Sequence, residues 1–359
     1  MAKRAISKYF WLPALLLSML VYISSCRELY DPETDSMENV LIVDGLVTDE
    51  PGRNYIKLYY NKNSRLDPLS NATVYLSDDH GLIVPFHHSG SGQFLPHEAF
   101  AGEAGKNYTL NIETEDEIYQ SGPQLILPAA SLDSVYPKHA HKDYLFPDSY
   151  GNYIRRREAG FEVYADMAGE TGDPLRFRIA PTLLLLYNWT EILEGQPPPV
   201  IIHYRWKKTK LTNTPEINLD RFEDGHENIK SHLVSFIPSG KFNYQLEQEE
   251  HINKYIIIIR YYTLNNEAHS FYEKAYRQVT SENKLFDPIA SQLPTNIKCI
   301  SNPGLAVSGF FEASSTRTET YMLNYYKAGN IFHFSNIDNM ENIPASGSLE
   351  NQRPPFWQD

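Results

Sequence analysis

The sequence predicts a mainly β protein: an N-terminal Ig-like β-sandwich followed by a larger β-rich domain with one or two helices. Three observations carry that expectation. Short stretches alternate apolar and polar residues, with Gly, Pro, Asn and Asp clusters between them. Aromatic residues make up 13% of the chain, 25 of them Tyr, and such side chains suit pleated, half-buried surfaces. Clear helical spacing occurs in one segment, near 265–279.

The elements follow in order. Lys3, Arg4 and Lys8 precede an apolar run from Phe10 to Ile23, and Ser24, Ser25 and Cys26 follow it. A basic, then apolar, then small order is that of a secretory signal peptide over residues 1–25. The run falls short of the ~20 residues that span a bilayer comfortably. The sequence Ile23-Ser24-Ser25-Cys26 resembles the bacterial lipobox. It implies cleavage between Ser25 and Cys26 and acylation of Cys26, which anchors the protein through its lipid. Residues 26–39 are acidic and aperiodic and read as a tether. An acidic stretch just after the lipidated Cys resembles surface-export signals of Bacteroidota lipoproteins.

Strands are expected at Val40–Val47, Tyr55–Tyr60, Asn71–Ser77, Leu82–Phe86, Gln93–Leu95, Tyr108–Thr114 and Ile118–Tyr119, with Pro51-Gly52, Asp79-His80-Gly81 and a Ser-Gly turn among the connections. This set defines an Ig-like, carboxypeptidase-regulatory-like sandwich over 40–130. The second domain, 131–328, opens at Ser131–Tyr136. Residues 138–160 read as a long polar excursion, then Phe161–Asp166, Leu175–Ile179 and Ile201–Lys208 as strands. The Leu run in Pro181–Ile192 fits strand or buried helix equally, and 212–230 reads as a loop. Tyr255–Ile259 (YIIII) is a buried strand within Tyr255–Tyr262. Asn265 then caps a helix in which Ala268, Phe271, Tyr272 and Ala275 share one face. Further strands are expected at Asn296–Ile300, Val307–Ala313 and Glu319–Leu323. The tail, 329–359, reads as loosely ordered apart from Phe356-Trp357.

Charge narrows the partners. After cleavage, 29 Lys and Arg face 45 Asp and Glu, a net charge of −16. Phosphate binding wants a basic patch, so a nucleic-acid partner is not expected. With Cys26 acylated, Cys299 is left without a disulfide partner and reads as a small buried hydrophobe.

No nucleophile elbow, P-loop, dinucleotide fingerprint or zinc spacing occurs, so no catalytic residue, metal ligand or cofactor is assigned. Asp78-Asp79-His80-Gly81 has some character of a calcium loop but lacks its spaced acids. His87, His88, His97, His139 and His141 read as isolated surface residues, Glu115-Asp116-Glu117 as a hairpin tip, and Arg155-Arg156-Arg157 as a solvated loop or an internal partner for the acidic excess.

Several stretches together resemble a Bacteroidota lipoprotein family of unknown function: Val40–Gly52, Ala72–Gly81, Gly105–Leu110, Leu127-Pro128, Leu285–Pro288, Asn296-Ile297, Asn302-Pro303 and Val307–Phe311. The family is encoded beside TonB-dependent receptors. The resemblance therefore implies an outer-membrane lipoprotein, non-enzymatic, serving as accessory or ligand-binding partner of such a β-barrel. Many members end in a Cys-rich segment before Pro-x-Phe-Trp. Here Pro354-Pro355-Phe356-Trp357 stands without those cysteines. Two other classes stay open: an envelope hydrolase acting on glycan or peptide, and a structural or adhesion protein of the surface.

Overall fold

Chain order and sheet order diverge sharply. The computed structural model describes residues 39–357, apart from 63–64, 148–151, 171–173, 212–227, 241–243, 245, 248, 281–292, 325–330, 334–342 and 355. Its strands begin with β1 (Val40–Thr48), β2 (Tyr55–Lys62), β3 (Arg65–Pro68), β4 (Thr73–Asp78), β5 (Ile83–Gly90), β6 (Gln93–Leu95), β7 (Asn107–Glu113), β8 (Ile118–Ser121) and β9 (Gln124–Leu125). Longer strands follow: β10 (Ser131–Pro147), β11 (Tyr153–Ala168), β12 (Phe177–Ile192), β13 (Val200–Lys210), β14 (Asn228–Pro238) and β15 (His251–Thr263). Helix α1 (Asn266–Thr280) precedes β16 (Ile297–Cys299), β17 (Val307–Asn324), β18 (Ile331–His333) and β19 (Ser346–Glu350). The protein is mainly β, as its alternation predicts.

The first half is a sandwich. Leu41, Val43, Ile56 and Leu58 of β1 and β2 share one core with Val74, Leu76, Leu110, Ile112 and Tyr119 of β4, β7 and β8. Strand β5 links the layers: Ile83–Phe86 pairs with β4, and His87–Gly90 pairs with β6. Residues distant in sequence complete it. Strand β16 pairs with β8, and β17 runs parallel to β1 from Val307 to Ser314. Cys299 is buried in that core, as its small apolar character predicts.

Strand β17 then changes partners. From Ser315 to Asn324 it pairs antiparallel with β15, in a sheet continuing through β12 and β13 to β19. One face of that sheet packs on a three-stranded sheet of β10, β11 and β14. The opposite face is covered by two smaller clusters, one including Trp357 and one including α1. Ile257 and Ile259 join the core against the three-stranded sheet, while Ile256 and Ile258 join the cluster that includes Trp357. Burial on both faces explains the unbroken aliphatic run. Each such side chain contributes ~1.5–3 kcal/mol of burial.

The chain crosses between the sheets near residue 130, where the sequence divides, but β17 belongs to both. Residues 39–359 form one compact unit. The excursion expected over 138–160 is instead most of a long hairpin, paired from Ser131 with Ala168 to Pro147 with Tyr153. Pro181–Ile192 is strand, and α1 starts at its expected cap. The tail departs from its expected looseness at Ser346–Glu350, which pairs with β13; Trp357, set apart from that looseness, is buried. Gly347 makes the approach feasible, because a Cβ there would lie 1.9 Å from Trp206 Cζ2. The loop expected at 212–230 lies outside the described residues up to 227, and Asn228–Lys230 open β14.

Candidate functional site: two clefts at the crossover

Two clefts border the crossover segment Leu127–Leu132. The larger, about 570 Å³, is lined among the described residues by Asp49, Glu170, Tyr261, Arg317, Glu319 and residues 128–132. The smaller, about 450 Å³, shares Pro128 and Glu170 and is also lined by Arg176, Asn265 and Asn266. The larger sits where β17 exchanges β1 for β15, so one strand positions Arg317 and Glu319 side by side in its wall.

Asp49, just beyond the end of β1, accepts the Thr316 N–H at Oδ1 (2.7 Å) and Arg317 Nη1 at Oδ2 (2.7 Å). Burial works against the Arg317 charge, and the hydrogen bond and charge of Asp49 more than offset it, so its pKa rises. Glu319 accepts the Tyr321 hydroxyl at 2.8 Å. Burial, followed by Glu319, raises the Tyr261 pKa. Two of the three cleft carboxylates therefore have fixed donors. Glu170 is exposed and is the third. The set offers a half-exposed guanidinium, an exposed carboxylate and the Tyr261 phenol, which suits a polar ligand.

Beside the clefts, the underside of α1 holds a second polar cluster. Arg178 reaches across the Tyr262 ring, its guanidinium carbon 3.6 Å from the centroid, to Glu312. Nε and Nη2 donate to the two carboxylate oxygens at 3.1 and 3.2 Å. Tyr272 of α1 and Ser314 donate to the same carboxylate at 2.5 and 2.6 Å. Burial opposes the Arg178 charge, but Glu312, Tyr272 and Tyr262 together raise its pKa. Burial first, and Glu312 second, lift Tyr272 well above an ordinary phenol. Every polar group in this cluster serves another, so it docks the helix rather than opening to a ligand.

Sequence-stretch candidates fare unevenly. Cys26 and Ser25 lie outside the described residues. Asp78, Asp79 and His80 do come together, with one ligand atom from each lying within 4.8 Å of the others, and no other such group occurs among the described residues. Their bonds close a turn: Asp78 Oδ1 accepts the N–H of His80 and Leu82 at 2.9 and 2.7 Å, and Asp79 accepts Asn107 Nδ2 at 3.1 Å. Lys106 Nζ stands 3.9 Å from the remaining Asp78 oxygen and brings a positive charge to the cluster. His87, His88, His97, His139 and His141 are all exposed. Glu115 and Asp116 sit at the β7–β8 tip, while Glu117 accepts hydrogen bonds from Cys299 and Ser301. Arg155 pairs with Asp143 and Arg156 with Glu158, so the basic run is partly neutralised on its own hairpin.

Sequence reasoning missed Asp49, Arg317 and Glu319. Asp49 and Arg317 lie 268 positions apart, and no local pattern joins them. Among the described residues no helix is long and apolar enough to cross a membrane. No curated protein and no solved structure matches the chain. Residues 27–320 match the family described as a domain of unknown function, DUF4249, and the chain belongs to that family.

Proposed function

We propose that this is a lipid-anchored outer-membrane protein of a Bacteroidota cell envelope, a non-enzymatic accessory or ligand-binding partner of a TonB-dependent import receptor. The observation that carries the reading is Cys26, at the end of a lipobox-like sequence, followed by an acidic stretch that leads into the first strand at Val40. The thirteen residues from Arg27 to Asn39 give a reach of up to roughly 45 Å at ~3.3–3.6 Å per residue. Such a tether would let a β body engage a barrel in the same membrane, and its acidic character favours the outer surface. Several acyl chains on one residue hold a protein firmly, since each buried CH₂ contributes ~0.8 kcal/mol.

The test is fractionation followed by gentle detergent extraction of the carboxy-terminally tagged protein, with Cys26→Ala beside it. The reading expects the wild type in the outer-membrane fraction with a large β-barrel in near-equal amount, and the variant in the soluble fraction. A lipidated wild type that extracts alone would overturn the partnership.

A second reading, an envelope hydrolase, draws on the larger cleft, where Asp49, Glu170 and Glu319 line one cavity. Paired carboxylates can share acid and base roles on a glycan or peptide. Turnover of glycan or peptide libraries, abolished by Glu170→Gln or Glu319→Gln, is its test.

A further inference from the structure

The β12–β13 hairpin leaves its apolar end in solvent. Ile192 and Val200 are cross-strand partners at its last paired position, 69% and 52% exposed. Leu193 is 39% exposed, and Pro197, Pro198 and Pro199 complete an apolar tip. The turn itself is closed, with the Leu193 N–H donating to Pro199 O at 2.9 Å. Elsewhere among the described residues, large exposed apolar side chains come singly or in pairs: Leu66, Leu82 with Ile83, Ile118 with Ile300, and Ile154. Isolated ones are ordinary; a contiguous patch marks an interaction site.

The tip also continues a buried stripe. Strand parity places Ile192 and Val200 on the same face as Leu184, Leu186 and Trp206. The carboxy-terminal segment covers that face lower down, with Phe356 against Trp206 and Trp357 against Tyr204 at 5.3 and 5.2 Å. The cover stops short of the tip.

Charge decides the kind of occupant. No Lys or Arg occurs from residue 179 to 204, while Glu191 and Glu194 flank the apolar residues. A loop inserting into anionic lipid carries cations beside its apolar residues. This one carries acids. The three consecutive prolines restrict the backbone of the tip, so little conformational freedom is lost when it docks. We infer that the β12–β13 tip is a protein-docking element, and that its partner presents an apolar groove rimmed by Lys or Arg. The inference rests on the proposed receptor partnership and assigns the contact to this hairpin.

The experiment compares the full-length lipidated wild type, Ile192→Asp/Val200→Asp, and a control pair, Leu82→Asp/Ile83→Asp, by extraction from outer membranes. Circular dichroism and urea midpoints establish that each folds. Recovery of the barrel should fall at least tenfold for the hairpin variant and stay unchanged for the control. A photo-crosslinker at position 193 should attach to an apolar, Lys- or Arg-flanked segment of that barrel. Equal recovery with the hairpin variant overturns the inference and leaves the partnership standing; no barrel with the wild type overturns both. Two other results also overturn it: tip-dependent flotation of Cys26→Ala protein on phosphatidylethanolamine–phosphatidylglycerol vesicles, and a tip-dependent dimer by light scattering.

Discussion

Arg178 and Glu312 form a two-bond ion pair across an intervening strand, with Tyr262 of β15 lying beneath the guanidinium. Both side chains are almost wholly buried. A buried pair adds little net stability over an apolar pair, but removing one partner strands a charge and costs ~3–5 kcal/mol. Arg178→Met should therefore lower stability by about that amount. Arg178→Met/Glu312→Leu should regain most of it, although Tyr272 and Ser314 lose their acceptor. Urea unfolding of the single and double variants measures this. A double variant no more stable than the single one would show that charge compensation is not what the pair provides.

The α1 cap is also a tie between layers. Asn265 Oδ1 accepts the Ala268 N–H at 2.9 Å, and its Nδ2 donates to Gln124 Oε1 at 3.0 Å. Gln124 in turn donates to Glu267 at 2.6 Å. Asn265→Ala should cost ~0.5–2 kcal/mol for the cap alone. Because the same side chain fixes Gln124, Gln124→Ala should cost less in the Asn265→Ala background than in the wild type. A double-mutant cycle in urea reads this coupling; additive losses would show that cap and tie act separately.

At Gly309, β17 lies directly against the backbone of β1 at Val43. The glycine's φ is +91°, and a Cβ there would lie 1.9 Å from the Val43 carbonyl oxygen. Neither strain nor clash has a side-chain remedy, since the obstacle is backbone. Gly309→Ala should destabilise by more than ~4 kcal/mol, well beyond the common range for a point change. Gly304→Ala, whose nearest neighbour would be a side-chain oxygen at 3.8 Å, should be near neutral. Thermal unfolding of the two variants side by side checks the contrast, and similar losses would remove the close approach as the cause.

What was legible in the sequence follows from where each element buries its side chains. The β15 run and the Asn265 cap announce themselves because burial on both faces and a side chain–backbone bond leave local traces. Strand β14 leaves none: its register with β11 shifts twice, and Ser231 takes a positive φ of 58°. Those irregularities break the two-residue period on which strand recognition depends. Strand β19 reads as Ser, Gly and Glu around one Leu, and it pairs because Gly347 fits against Trp206. The clefts were the least legible part, since Asp49, Glu170, Arg317 and Glu319 are brought together only by the fold, from three separate stretches of sequence.

The tyrosines set an alkaline limit on the fold. Burial is the main cause of the raised pKa values of Tyr55, Tyr119, Tyr261 and Tyr321. Tyr164 is pushed up to about 12, chiefly by its hydrogen bond to Glu162. In the unfolded chain these phenols titrate near ~10. Above that pH the unfolded state sheds protons that the native state keeps, so it binds fewer protons and stability falls as pH rises. The contribution is complete below about pH 10 and declines from there toward the raised native values. Urea midpoints taken between about pH 8 and about pH 11 should stay flat and then drop past ~10. Phenolate absorbance near ~295 nm should show a fraction of phenols that ionises only as the far-UV signal collapses, as expected for tyrosines shielded by burial. Complete phenolate formation while the far-UV signal is intact would mean that burial does not hold these protons.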